Sequence, residues 1–138
     1  MFAILKGIGA VLAGASVGIA LSLGTDAVMH ALHLFPPIGT PMTDSRLLAL
    51  ATVYRTIYGV IGAYVTAWLA PSRPMLHAFI LGILGEFAAI AGVVATWNDV
   101  AKYGPHWYSI ALVVFALPPA LLGAWLYEKR PRPLAGAL

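Results

Sequence analysis

From Gly7 to Thr25 the chain runs 19 positions without a charged side chain, and from Tyr103 to Tyr127 it runs 25. Crossing the hydrocarbon layer of a bilayer takes roughly 20 mainly apolar residues in a helix. Two further apolar stretches, about 46–70 and 74–97, are each interrupted by one charge near the middle, Arg55 and Glu86. The pattern predicts an all-α integral membrane protein. Its single domain over 1–138 would be an antiparallel bundle of four transmembrane helices with both termini cytoplasmic.

Composition supports the membrane class and excludes others. Only 13 of 138 side chains are charged, 9% against about 25% in an average soluble domain. A small soluble globule has too much surface to cover with so few charges. A net charge of +3 is too small for a basic nucleic-acid surface, and no nucleic-acid partner is expected. Absence of Cys removes a disulfide scaffold, and 61% hydrophobic residues is the reverse of a disordered composition.

Helix boundaries follow from the breakers between the apolar runs: about 5–34, 45–70, 74–98 and 105–128, with a short cytoplasmic tail at 129–138. The segment Phe35-Pro36-Pro37-Ile38-Gly39-Thr40-Pro41 cannot continue a helix, because each Pro lacks an N–H and restricts the residue before it. Thr43 or Asp44 offers the N-cap of the second helix. Pro71 closes that helix, and Pro74 stands where a first-turn proline opens the third. Trp97-Asn98-Asp99 leaves the third helix, and Gly104-Pro105 opens the fourth. Pro118-Pro119 should kink the fourth, since two carbonyls lose their helical donors. Short loops make sequential helices antiparallel neighbours.

Basic residues flanking the spans set the orientation. With the N-terminus inside, Lys6, Arg73, Lys129, Arg130 and Arg132 face the cytoplasm, and Arg46 and Lys102 face the other side. This asymmetry opposes insertion in both orientations. Trp68 and Trp125 fall at the expected cytoplasmic ends, and Trp97 and Trp107 at the outer ends, as an aromatic belt requires. The first apolar run is too long for a signal-peptide core and reads as a retained helix.

Lipid tails give helices no hydrophobic reason to associate, so close approach through small residues carries the packing. Ala10, Gly14, Gly18 and Ser22 recur at steps of four in the first helix. Thr52, Gly59, Ala63 and Ala67 follow nearly one ridge of the second, and Ala116, Ala120 and Ala124 one of the fourth. The expectation is a compact bundle with little internal void, partnered by the lipid bilayer and by another copy or a second membrane protein.

The candidate functional residues are the polar groups inside the hydrocarbon. Asp26, Arg55, Tyr58 and Glu86 form an expected intramembrane polar cluster, because charged groups in spans face the bundle interior and pair. Thr52, Tyr58, Gly59 and Gly62 share the face of Arg55, whereas Val53, Ile57, Val60 and Tyr64 occupy the lipid-ready face. Arg55 can pair with Glu86 or with Asp26. The first helix also places Asp26, His30 and His33 within an arc of about 60° at its outer end. Two imidazoles and a carboxylate are zinc ligands by type, and Asp99 or His106 could join them. Bis-histidine haem through His30 or His33 with His106 is a remoter alternative. No metal or other cofactor is favoured, and His77 stands apart without a role.

Catalytic signals are missing. There is no Cys nucleophile and no Gly-x-Ser-x-Gly elbow, and Gly7-Ile8-Gly9 lacks the remaining glycine spacing of a dinucleotide fold. No enzyme activity is expected.

The stretch Tyr54-Arg55-Thr56-Ile57-Tyr58-Gly59-Val60-Ile61-Gly62-Ala63-Tyr64, with Leu69-Ala70-Pro71-Ser72-Arg73-Pro74-Met75-Leu76-His77-Ala78, resembles an uncharacterised family of small four-helix bacterial inner-membrane proteins. Gly24-Thr25-Asp26 and Gly104-Pro105-His106-Trp107-Tyr108 extend the resemblance over most of the chain. It implies a bacterial cytoplasmic-membrane location and no activity. The leading functional expectation is a non-enzymatic structural or accessory membrane protein with a buried Arg/carboxylate cluster. Two alternatives stand beside it. One is an oligomeric small transporter or channel subunit using Asp26, Arg55 and Glu86 as an ion or proton path. The other is a metal-binding membrane protein through Asp26, His30 and His33.

Overall fold

The computed structural model describes residues 1–131. Arg132 and most of the expected 129–138 tail lie outside the described residues. The described chain is helical and holds no strand. It comprises α1 (Phe2–Ala31), α2 (Ser45–Leu69), α3 (Pro74–Thr96), α4 (Val100–Tyr103), α5 (His106–Val114) and α6 (Leu117–Lys129). Four helical stretches are long and apolar enough to cross a membrane: α1, α2, α3 and the run His106–Lys129. At 1.5 Å per residue, even the 23-residue α3 reaches about 35 Å, more than the hydrocarbon layer.

Local chemistry explains the ends. Asp44 caps α2, its carboxylate accepting the Arg46 N–H at 2.8 Å. Pro74 occupies the first turn of α3, where its missing N–H costs nothing. Just before it, Arg73 adopts a left-handed backbone with φ of 46°, which turns the chain sharply from α2 into α3.

Two boundaries differ from the sequence reading. The first helix begins at Phe2 and stops at Ala31, not near residue 34. There His33 turns left-handed with φ of 58°, and the Leu34 and Phe35 N–H groups both fold back onto the Met29 carbonyl. The fourth span is not one kinked helix but two, α5 and α6, parted at Phe115–Ala116. Pro118 and Pro119 remove the donors that the Val114 and Phe115 carbonyls would need, so the break falls one turn upstream of the prolines.

Small residues set the helix contacts. α1 and α2 run antiparallel and touch at Gly14 and Gly62, where a Cβ on Gly62 would lie 2.6 Å from the Gly14 carbonyl oxygen. Gly123 of α6 abuts the Val60 backbone and the Ala63 methyl of α2. Gly82 of α3 meets Leu117 and Ala120 of α6. Ala63, Ala67, Ala78, Ala120 and Ala124 are buried together, so α2, α3 and α6 close on alanine and glycine. Ala10 and Gly14 of the predicted α1 ridge are buried, whereas Gly18 and Ser22 are only partly so. Tyr64, expected toward lipid, instead sets its ring edge-on against Tyr127, with centroids 5.6 Å apart.

The bundle is tight at the end that holds the α2–α3 turn and looser toward the other. At the tight end Gly7 lies against His77, joining the starts of α1 and α3. The buried residues of α3, Ala78 and Gly82, lie in its first half near that end, and farther along a cleft of about 570 Å³ opens between α1, α2, α3 and the α5–α6 break. The cleft opens at the surface of the bundle and is no enclosed void. Small side chains on facing walls, such as Gly18, Gly59 and Ala88, allow close approach but leave a gap where nothing interlocks.

Candidate functional site

Asp26 lies on α1 within two turns of its end. The antiparallel course of α2 brings residues 54 and 55 opposite it. The Tyr54 hydroxyl donates to Asp26 Oδ1, and Arg55 Nη2 donates to Oδ2 at 2.6 Å, closing an ion pair. Beside this pair, the Thr25 and Tyr58 hydroxyls share a hydrogen bond of 2.7 Å. The Tyr54 and Tyr58 rings lie 5.8 Å apart at a tilt of 43°. Five side chains thus fasten the last turns of α1 to the first half of α2.

The segment after α1 covers this assembly. Phe35 is buried with Ala51 and Tyr54, and Met29, Met42 and Tyr108 pack around them. Tyr108 thereby ties α5 to the same cluster. A large apolar residue directly before Pro36-Pro37 is anchored where a loop would otherwise leave the surface.

Of the four residues expected to cluster, Asp26 and Arg55 meet directly and Tyr58 hydrogen-bonds next door. Glu86 does not join them. It is partly exposed on α3 and forms no hydrogen bond or ion pair among the described residues. Arg55 therefore chooses Asp26 over Glu86. Nor is there a buried charged cluster: the Arg55 side chain is 36% exposed and that of Asp26 21%. The reason is that Arg55 stands in the wall of two cavities. One is the 570 Å³ cleft; the other, of about 190 Å³, lies between Asp26, His30, Phe35, Thr40 and Met42.

Around Arg55 the other polar groups are already engaged. Thr52 donates to the Leu48 carbonyl at 2.9 Å and Thr56 to the Thr52 carbonyl at 2.7 Å, each back-bonding to its own helix. Arg55 Nε is buried and has no acceptor.

The histidines separate. His30 Nδ1–H donates to the Asp26 backbone carbonyl at 2.7 Å, and its ring meets Phe35 edge-on. His33 lies beyond the end of α1, where the 100° progression that would align it with Asp26 and His30 has stopped. His106 stacks on Trp97 at 3.9 Å and donates to the Trp97 carbonyl at 2.9 Å, bracing the α3–α5 connection. His77 bonds the Arg73 carbonyl at 3.2 Å. Among the described residues no three His, Cys, Asp or Glu side chains gather as a metal set.

No family model, curated protein or solved structure matches the chain.

Sequence reasoning missed Tyr54, Thr25 and Phe35. Tyr54 sits 100° around the helix from Arg55, so a face argument centred on Arg55 leaves it out. Asp26 reaches both because it lies between their two directions.

Proposed function

We propose that this chain is a non-enzymatic, multi-pass protein of the bacterial cytoplasmic membrane, with its N- and C-termini in the cytoplasm. Its role is structural or accessory, toward lipid and toward a second membrane protein or another copy. The observation that carries this reading is the outer surface of the four long helices. Ile8, Val53, Ile57, Phe87, Val94 and Val114 are all more than half exposed, a surface suited to lipid and not to water. Trp68 and Trp125 stand exposed toward one end, Trp97 and Trp107 toward the other, which fits interfacial anchoring. Lys6, Arg73, Lys129 and Arg130 flank the tight end, with Arg46 and Lys102 opposite, supporting the cytoplasmic assignment of the former. The bacterial placement rests on the Tyr54–Tyr64 and Leu69–Ala78 patterns.

The accessory role is supported by the use made of the intramembrane charges. Asp26, Tyr54 and Arg55 bind helix to helix, and Glu86 does not extend them into a path along one chain.

Because the chain has no native Cys, single cysteines report topology cleanly. In intact cells a membrane-impermeant maleimide should label Thr40→Cys and should reach Ser72→Cys only after lysis. The reverse pattern would overturn the orientation, and equal labelling of both in intact cells would overturn a fixed orientation.

A further inference from the structure

We propose that the cleft between α1, α2 and α3 binds an amphiphile with a linear hydrocarbon chain and an oxyanion head, and that Arg55 takes the head. The proposal rests on the membrane-spanning reading above and names the ligand class of its cleft. Three observations carry it.

The first is size and shape. At about 570 Å³ the cleft falls within the range of small-molecule sites. It follows α1 from Val11 to Leu23, a length of about 18 Å. So much length for that volume suits an extended chain better than a fused-ring ligand. Its walls are mostly apolar, Val11, Leu12 and Ile19 on one side and Leu84, Gly85 and Ala88 on the other.

The second is polarity at one place only. The polar side chains lining the cleft include Thr52, Thr56 and Tyr58, all three hydrogen-bonded elsewhere. Ser22 also lines it, and Arg55 is the charged group there, with several donors to give. A guanidinium has five N–H groups, and Asp26 takes one of them, through Nη2. Nε is buried beyond a ligand's reach, whereas Nη1 is not among the buried atoms and the side chain as a whole is 36% exposed. A phosphate or carboxylate supplies paired acceptors in the geometry a guanidinium edge presents. Asp26 Oδ2 takes one N–H of Nη2, which leaves Nη1 and the second N–H of Nη2 for the head.

The third is continuity. Arg55 also walls the 190 Å³ pocket lined by His30, Phe35 and Thr40, so a head gripped by Arg55 lies where the two cavities meet while the chain lies in the cleft. A ligand with a charged end and an apolar tail matches this succession of environments.

The test is native mass spectrometry of the full chain in a neutral detergent with dodecyl phosphate, with inorganic phosphate and dodecanol as separate arms. One saturable dodecyl phosphate adduct is expected. Arg55→Gln should weaken it about 10- to 100-fold, the value of charge-assisted hydrogen bonds to a buried oxyanion. Gly85→Leu should weaken it as well. A Cβ at Gly85 meets nothing within 4 Å, so that variant fills the cleft without disturbing a helix contact and guards against misfolding of the Arg55 variant. Equal binding of dodecanol would overturn the proposal by showing ordinary filling by hydrocarbon. Equal binding of inorganic phosphate would overturn it by showing a surface anion site. Undiminished binding by Gly85→Leu would place the ligand outside the cleft and overturn it too. Since binding is read in detergent, failure here is separate from a reversed topology in the cysteine labelling.

Discussion

Arg55 Nη2 lies 2.6 Å from Asp26 Oδ2, a contact between residues 29 apart that fastens α2 to the end of α1. The carboxylate within the third long apolar helix, Glu86, takes no part. The pair holds the mouth of the cleft together, and the Tyr54 hydroxyl on the other carboxylate oxygen fixes how Asp26 is turned.

Asp26→Asn removes the countercharge of Arg55 but keeps an acceptor for Tyr54. Partial exposure of both partners tempers the loss, so a cost of about 1–3 kcal/mol is expected. Tyr54→Phe should cost about 1 kcal/mol. Thermal unfolding in mild detergent checks both, and the double variant should cost less than the two losses added, because both contacts share one carboxylate.

The α1–α2 contact predicts a contrast between glycines. Gly62→Ala puts a methyl against the Gly14 carbonyl, backbone against which nothing can rotate away, and should destabilise by about 1–3 kcal/mol. Gly24→Ala, where an added Cβ meets nothing within 4 Å, should leave stability unchanged or raise it, since Ala favours helix over Gly. Equal losses in unfolding experiments on the two variants would contradict the close approach.

Thr66 is fully buried on α2, and its hydroxyl has no hydrogen-bond partner. Thr66→Val keeps the shape and removes the unmet group, and should stabilise the protein by about 1 kcal/mol. A destabilised variant would mean that the hydroxyl is hydrogen-bonded in the folded protein.

Among the described residues Glu86 is unpaired, so Glu86→Gln should leave the melting temperature unchanged or raise it. The same variant separates the accessory reading from an ion path. Proton-coupled flux in liposomes that is present in the parent and lost in Glu86→Gln would favour the transporter.

How much of this was legible depends on the range of the interaction. The Asp44 cap, the first-turn Pro74 and the disruption near Pro118-Pro119 are events within one helical turn, where residue type decides. The extent of that disruption was less legible, because two adjacent prolines remove two consecutive donors and split the span instead of bending it. Grouping Asp26, His30 and His33 on one face assumed that α1 continued to His33. The chain leaves the helix two residues earlier, and Phe35 finds its place against Ala51 and Tyr54.

By itself the sequence determined four long apolar helices, the breaks between them and the few charges that need a reason to lie within them. Those properties follow from hydropathy and from proline and glycine chemistry, which act along the chain. Only the tertiary structure decided that Arg55 meets Asp26, that Tyr54 joins them, that Glu86 stands alone and that a cleft stays open beside the pair. Those outcomes depend on the register at which α1 slides past α2, and the contact of Gly14 with Gly62 sets that register through two residues with no side chain to announce it.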